Sequence, residues 1–598
     1  MAGTMTRRHA VGLLAGAALG MAAGVSPACA ADAPAAENAS AADARKAMRW
    51  WQDTVVYECY PKSFLDTAGA GTGTLAGVTS QLDHIASLGT GAIWLTPVFK
   101  SPMKDNGYDV ADYEAVDSSF GTMEDMDELI AQAGERGMKI VLDLVMNHTS
   151  DEHAWFQESS GSRDNPKADW YIWRDAKPDG GAPTNWRGIF GGSAWTWCEA
   201  RQQYYLHTFA DFQPDLNWEC AEMREELFRI ARDWIEKGVG GFRIDAIPYI
   251  KKPELADGEP DAADGLVGIH SMIANTPGIL DFLREFKEKA IGDSGCFTVA
   301  EANGVPSDEL PNWVGSNGVF DMLFQFNHQN VPLGGAEIWY KPADWTLIDL
   351  KRELTTSQAG TADNGWYPIY WENHDQPRSP NHFCPDVADK KAAAKMLGCV
   401  LYTLRGTPFV YQGEELGYTN VAWGSIDDYD DVSSHNQYAM ALENGCTEAQ
   451  ALQAVHDFSR DNARTPMQWD ASANAGFTQG TPWLPVHDDY EQCNVAVQDA
   501  DDESVLAWYR KLVELRAQTD VLVSGSYEEL MADSESVYAY RRQAGRDVAV
   551  VLANFTEEEA SFDPALIEGL DLVLSTHAGS TSGMLAPLEA AVYAGQEA

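Results

Sequence analysis

The chain has 598 residues, and its 42 Lys and Arg stand against 90 Asp and Glu, a formal net charge of −48. That balance excludes nucleic acid as a partner, because phosphate binding needs clustered cations that release counterions, and it excludes an anionic membrane surface. Hydrophobic residues make up 45% of the chain, which excludes an acidic disordered protein and, at this length, suits a large barrel carrying extra modules.

Residues 1–30 read as a signal peptide. Arg7-Arg8 precede the apolar stretch Ala10 to Val25, and Ala28-Cys29-Ala30 is a small-x-small cleavage site. The pattern fits a twin-arginine or a Sec signal equally and predicts an exported protein, extracellular or in the cell envelope. Residues 31–46 form a small-residue linker. No later segment is apolar for long enough to cross a membrane, so no membrane insertion of the mature chain is expected. The scattered cysteines, with no C-x-x-C pair, read as buried thiols.

From there, short β-branched or aromatic runs alternate with longer amphipathic ones. The strand candidates are Val55–Tyr60, Ala92–Pro97, Ile140–Val145, Gly241–Ala246, Phe297–Ala300, Val319–Phe324, Pro368–Trp371 and Phe409–Tyr411. Helical stretches such as Met123–Arg136, Glu222–Glu236 and Asp389–Leu404 lie between them. Eight parallel strands with crossover helices predict an α/β fold, a (β/α)8 TIM barrel, with its chemistry at the C-terminal strand ends. A doubly wound open sheet is the alternative, but no Gly-rich phosphate loop follows the first strand. A Trp/Gly/Asn-rich insertion, 150–220, follows the third strand and is expected to wall a cleft. The barrel is thus divided into 47–149 and 221–520, the latter including a long excursion from Gly417 to about Ala500. The period-2 runs beyond 521 predict a C-terminal antiparallel β-domain, 521–598.

Carboxylates stand where strands end: Asp245 after the fourth, Glu301 after the fifth, Glu372 and Asp375 after the seventh. Each alone is ordinary. Convergent acids push one another's pKa values apart, so that one can donate a proton while another stays ionised, the division of labour that glycoside hydrolysis needs. Barrel enzymes that gather acids around Mg²⁺ to abstract a proton fit the same acids, but no Lys stands at the relevant strand ends, leaving only His148 and His374 as bases.

Seven ordered motifs carry a resemblance. They are Asp143-Leu-Val-Met-Asn-His148, Gly241-Phe-Arg-Ile-Asp245, Val299-Ala-Glu-Ala-Asn303, Asn373-His-Asp375, Asp105-Asn-Gly-Tyr-Asp109, Gln213-Pro-Asp-Leu-Asn-Trp218 and Arg464-Thr-Pro-Met-Gln-Trp469. From about Trp51 onwards the chain resembles the α-amylase superfamily of glycoside hydrolases, its α-glucosidase and oligo-1,6-glucosidase branch. The resemblance implies a retaining mechanism, with Asp245 as nucleophile, Glu301 as general acid/base and Asp375 as transition-state stabiliser. Arg243 would keep Asp245 ionised; His148 and His374 would donate to glucosyl hydroxyls; Tyr108 would stack on the sugar ring. Asp105 and Arg464 resemble a pair that closes the pocket and makes the enzyme exo-acting, with Asp109 and Asn147 supporting from behind. Phe190 and Phe209 resemble wall residues at the pocket mouth, against the alternative that they pack the insertion's own core.

Two departures from the family pattern matter. The loop Asp66-Thr-Ala-Gly-Ala-Gly-Thr-Gly-Thr74 resembles a Ca²⁺ loop in which Ala68, Ala70 and Thr74 replace side-chain ligands, so no metal is expected there and no cofactor elsewhere. Ala246, after the nucleophile, leans towards α-1,4 bonds over α-1,6. The expected partner is a small oligosaccharide; the expected activity is release of terminal α-linked glucose, α-1,4 favoured. The alternatives are an oligo-1,6-glucosidase, a transglycosylating or sucrose-active relative, or a non-catalytic binding member. No oligomeric state is assigned.

Overall fold

The computed structural model describes residues 40–597 apart from 262–263, 307, 316–317, 335–337, 363–364 and 578–582. The segment expected to be a signal peptide, 1–30, lies outside the described residues.

Eight parallel strands form the centre: β1 (Val55–Cys59), β2 (Thr90–Leu95), β3 (Lys139–Val145), β4 (Gly241–Asp245), β5 (Phe297–Glu301), β6 (Met322–Phe324), β7 (Pro368–Ile369) and β8 (Thr407–Tyr411). They pair in the order β6-β5-β4-β3-β2-β1-β8-β7, so the sheet curls into a nearly closed (β/α)8 barrel. The register fixes the site: Asp245 lies opposite Val145, Arg243 opposite Asp143, and Glu58 opposite Trp94 and Tyr411. β1 and β4 are buried along their whole length because helices cover one face and the barrel interior fills the other. Val56, Ala92, Trp94, Val141, Phe297, Val299, Met322, Phe324, Tyr370 and Phe409 form that interior as a cluster of its own.

The seam opens between β6 and β7, which are shorter than the apolar runs around them. Val319 and Phe320 turn their N–H groups onto the Trp313 carbonyl instead of a ladder. The carbonyls of Tyr370 and Trp371 are taken by the side chains of His328, at 3.0 Å, and Gln329, at 2.9 Å, which ends β7 after two residues.

The crossover helices carry clear punctuation. Thr122 and Asp125 make a reciprocal capping box at the start of Met123–Glu135. Gly238 ends Ala221–Lys237 in the left-handed region, φ 107°. The insertion after β3 builds a three-stranded antiparallel sheet from Trp173–Arg174, Gln203–Leu206 and Trp195–Cys198. Beyond β8, helices Val432–Glu443 and Glu448–Phe458 form a hairpin. The chain closes with an antiparallel sheet of β9 (Ser526–Leu530), β10 (Val537–Ala544), β11 (Asp547–Asn554), β12 (Asp571–Ser575) and β13 (Ala590–Gln596), ordered β9-β10-β11-β13-β12. Among the described residues no helix is long and apolar enough to cross a membrane.

Candidate active site

Arg243 is the hub at the C-terminal end of the barrel. Its position on β4 aims the guanidinium along the strand ends, where Nη1 donates to Asp143 at 2.9 Å and to Asp245 at 2.6 Å, and Nη2 donates to Glu301. Three carboxylates from β3, β4 and β5 therefore meet on one buried cation. Burial pushes the Asp245 carboxyl above its ordinary range; Arg243 opposes that rise and Asp143 reinforces it.

Asp375 approaches from the loop after β7. It is bound by Arg464 Nη2 at 2.6 Å, Arg460 Nη1 at 3.3 Å and His374 Nε2 at 3.2 Å. Burial alone would raise this carboxyl, yet His374, Arg460 and Arg464 hold it well below the usual carboxylate range. Asp143 and Asp245 are thus raised by burial, whereas Asp375 is pinned down by cations. Tyr108 joins them, its hydroxyl 2.9 Å from Asp143 Oδ2 and 2.7 Å from His374 Nε2, its ring stacked on the His374 imidazole at 5.4 Å. His148 faces the cleft from the end of β3, held 3.2 Å from the Tyr108 carbonyl and 3.3 Å from Gln213.

Asp105 and Arg464, expected to close the pocket together, bind different partners. Asp105 Oδ2 accepts from Gln213 at 2.8 Å, while Arg464 turns to Asp375 and to the His374 carbonyl at 3.0 Å. With Arg464 on Asp375, burial pushes Asp105 up to about 6, while His374, Arg460 and Arg464 hold Asp375 well below the usual carboxylate range. Asp109 closes its loop by accepting from Ser101, Lys104 N and Asp105 N. Asn147 donates to Asp215 at 3.2 Å.

Phe190 and Phe209 come together at 5.6 Å, and Phe209 lies 5.0 Å from the His148 ring. Phe209 also packs against a cluster in which Ile172, Trp186, Trp195 and Leu206 of the insertion meet Ala246, Tyr249 and Ile269. Arg460, absent from the expected site, stands 5.7 Å over the Phe190 ring and is anchored by Asp431 at 2.6 Å. Its sequence signal was its spacing: it lies four residues before Arg464, at the start of the short helix Asp461–Arg464, which sets both guanidinium groups on one side. Gln213 opens one of the seven motifs but was not singled out as a site residue, and Glu58 was missed because nothing local distinguishes it from the polar residue of any strand end.

In the Asp66–Thr74 loop, Asp66 accepts from the N–H groups of Ala68, Gly69 and Gly71 at 2.7–2.9 Å and from the Thr478 hydroxyl at 2.5 Å. Among the described residues no group of three or more His, Cys, Asp or Glu is placed to hold a metal ion.

Fold and site together define the class, a (β/α)8 barrel with acids clustered at its C-terminal strand ends, the arrangement glycoside hydrolysis uses. The alpha-amylase catalytic domain matches residues 58–525, and the chain belongs to this family of glycoside hydrolases. It is 43% identical over 518 residues to an oligo-1,6-glucosidase of Bacillus cereus, covering 86% of this chain and 92% of that one. It is 42% identical over 516 residues to a trehalose-6-phosphate hydrolase of Escherichia coli, covering 85% and 91%. Among solved structures, the trehalose-6-phosphate hydrolase of Bacillus licheniformis superposes with a TM-score of 0.86 at 38% identity, covering 92% of this chain and all of that one. The trehalulose synthase of Pseudomonas mesoacidophila gives the same TM-score and identity over 92% and 99%.

These comparisons correct one expectation. The relatives named oligo-1,6-glucosidase and trehalose-6-phosphate hydrolase stand against the exported location drawn from residues 1–30.

Proposed function

We propose that the protein is an exo-acting, retaining α-glucosidase that removes terminal glucose from short α-1,6-linked oligosaccharides. The observation that carries this reading is the single guanidinium of Arg243 bridging Asp245 and Glu301. One guanidinium spanning both carboxylates favours the close spacing of about 5 Å that retention uses over the 6.5–9.5 Å that leaves room for a water in inversion.

In this reading Asp245 attacks the anomeric carbon while Glu301 protonates the departing glycosidic oxygen. A glucosyl ester forms on Asp245, and Glu301 then takes a proton from the water that cleaves it. Arg243 keeps Asp245 ionised in a site whose burial opposes charge. Asp375, fixed by three cations, grips the sugar hydroxyls more tightly as charge develops on the ring, and His374 and His148 donate to the same sugar. Tyr108 lies beneath the glucose ring. Asp105, Gln213, Arg460 and Arg464 close the far end, where Arg464 Nη1 is a buried donor without a partner among the described residues. Phe190 and Phe209 flank the leaving-group side.

The α-1,6 preference takes the place of the α-1,4 preference expected from Ala246. Relatives named oligo-1,6-glucosidase support it. Ala246 lies in the left-handed region, φ 48°, and is 3% exposed, so backbone conformation and packing are sufficient reason for a small residue there. A phosphorylated disaccharide is a poorer fit, because Arg460 and Arg464 are already engaged by Asp431 and Asp375 in a strongly acidic protein. The test is a panel of isomaltose, maltose, sucrose, trehalose and trehalose 6-phosphate. Isomaltose should give the highest kcat/KM; a preference for maltose or for the phosphorylated sugar would overturn the linkage reading.

A further inference from the structure

Glu58 is a charged side chain at the end of β1 with no role in the chemistry just described. It is 1% exposed, and its Oε1 accepts both the His374 imidazole, Nδ1 at 2.7 Å, and the His374 backbone N–H at 3.2 Å. Burial raises the Glu58 carboxyl and His374 pulls it back; its Oε1 faces two N–H groups, the pattern of an ionised carboxylate that only accepts, so Nδ1 carries a proton.

The other imidazole nitrogen is settled by counting protons. Tyr108 has one hydroxyl hydrogen and two neighbours, Asp143 Oδ2 at 2.9 Å and His374 Nε2 at 2.7 Å. Asp143 receives Arg243 on both oxygens and the Trp94 indole at 3.3 Å, the pattern of an ionised carboxylate, so it takes the Tyr108 hydrogen. The Tyr108 oxygen then accepts from Nε2–H, with Asp375 Oδ2 as a second acceptor at 3.2 Å. Both ring nitrogens are donors, which makes His374 an imidazolium.

We infer that Glu58 is a positioning residue that holds His374 as a permanent cation and thereby sets the charge that Asp375 presents to the sugar. The inference rests on the α-glucosidase reading only for its effect on rate. Every element packed on the imidazole bears on that charge. Glu58 comes from β1 and Asp375 from the histidine's own loop. Tyr108 stacks on one face with Asp143 and Arg243 behind it. Tyr60 stacks at 6.2 Å, Trp94 meets the ring edge-on at 5.9 Å, and Arg464 binds the His374 carbonyl. Burial favours the neutral ring, yet Asp375 and Glu58 prevail and push His374 up to about 9.

Glu58→Gln keeps an oxygen that accepts both N–H groups and removes only the charge. The experiment follows the His374 imidazole resonances by NMR, identified by their loss in His374→Asn, in the full-length protein and in Glu58→Gln. The wild-type ring should stay protonated at pH 8, and its midpoint should fall by about one unit or more in the variant. For isomaltose, kcat should fall about tenfold or more with a smaller change in KM, and the alkaline limb of kcat should move to lower pH. A ring already neutral at pH 8 in the wild type overturns the inference whatever the variant does. So does a folded Glu58→Gln with an unshifted titration and pH profile, the result of a purely structural role. An inactive wild type whose His374 titrates as stated would instead count against the glucosidase reading alone.

Discussion

Asp105 is the cleft carboxylate whose proton comes and goes within an ordinary working range. Burial pushes it up to about 6 against the pull of Arg460, Gln213 and Arg464. An ionised Asp105 is the better acceptor for the terminal glucose hydroxyls, so kcat/KM should fall as pH drops through about 6, and Asp105→Asn should raise KM and flatten that limb. Between the unfolded value, near 3.9, and 6 the folded protein binds the extra proton, so this group adds stability as pH falls there, and the lost activity is not unfolding. Asp245→Asn removes the nucleophile while leaving the Arg243 bond, and kcat should drop by at least about a thousandfold with the fold intact. Single-turnover and circular dichroism measurements check both parts. Most of this site was legible, because Asp245, Glu301 and Asp375 stand at strand ends and short motifs surround them. Glu58 was not, since it reaches His374 from a distant strand, and Arg460 and Gln213 were passed over although the first lies four residues before Arg464 and the second opens a motif. Asp105 and Arg464 were legible only as a motif match, which does not encode that Arg464 binds Asp375.

The barrel strands were readable because each is a short apolar run buried on both faces, as in β1 and β4. The lengths of β6 and β7 were not, because their ends are set by His328 and Gln329 side chains and by a turn onto Trp313, none of which periodicity encodes. The loop after β1 is the element most dependent on one residue. Asp66 satisfies three backbone N–H groups and the Thr478 hydroxyl, tying the loop to the excursion after β8. Asp66→Ala leaves those donors unmatched and should destabilise the protein by about 1–3 kcal/mol. A shift in the denaturant midpoint, with kcat/KM for isomaltose little changed, is the expected result; unchanged stability would assign the loop's conformation to its glycines alone.

At the scale of the whole molecule the charge of −48 bears on what the enzyme meets. A neutral disaccharide is neither steered nor repelled by it, so kcat/KM for isomaltose should vary by less than about twofold between low salt and about 0.5 M. A phosphorylated sugar would instead gain as salt screens the repulsion, and kinetics at two ionic strengths separate these cases. The central claim is a double displacement through Asp245, and the anomer of the glucose first released reports on it most directly. Proton NMR of isomaltose hydrolysis within the first minutes, before mutarotation, should show α-glucose; β-glucose as the first product would contradict the account.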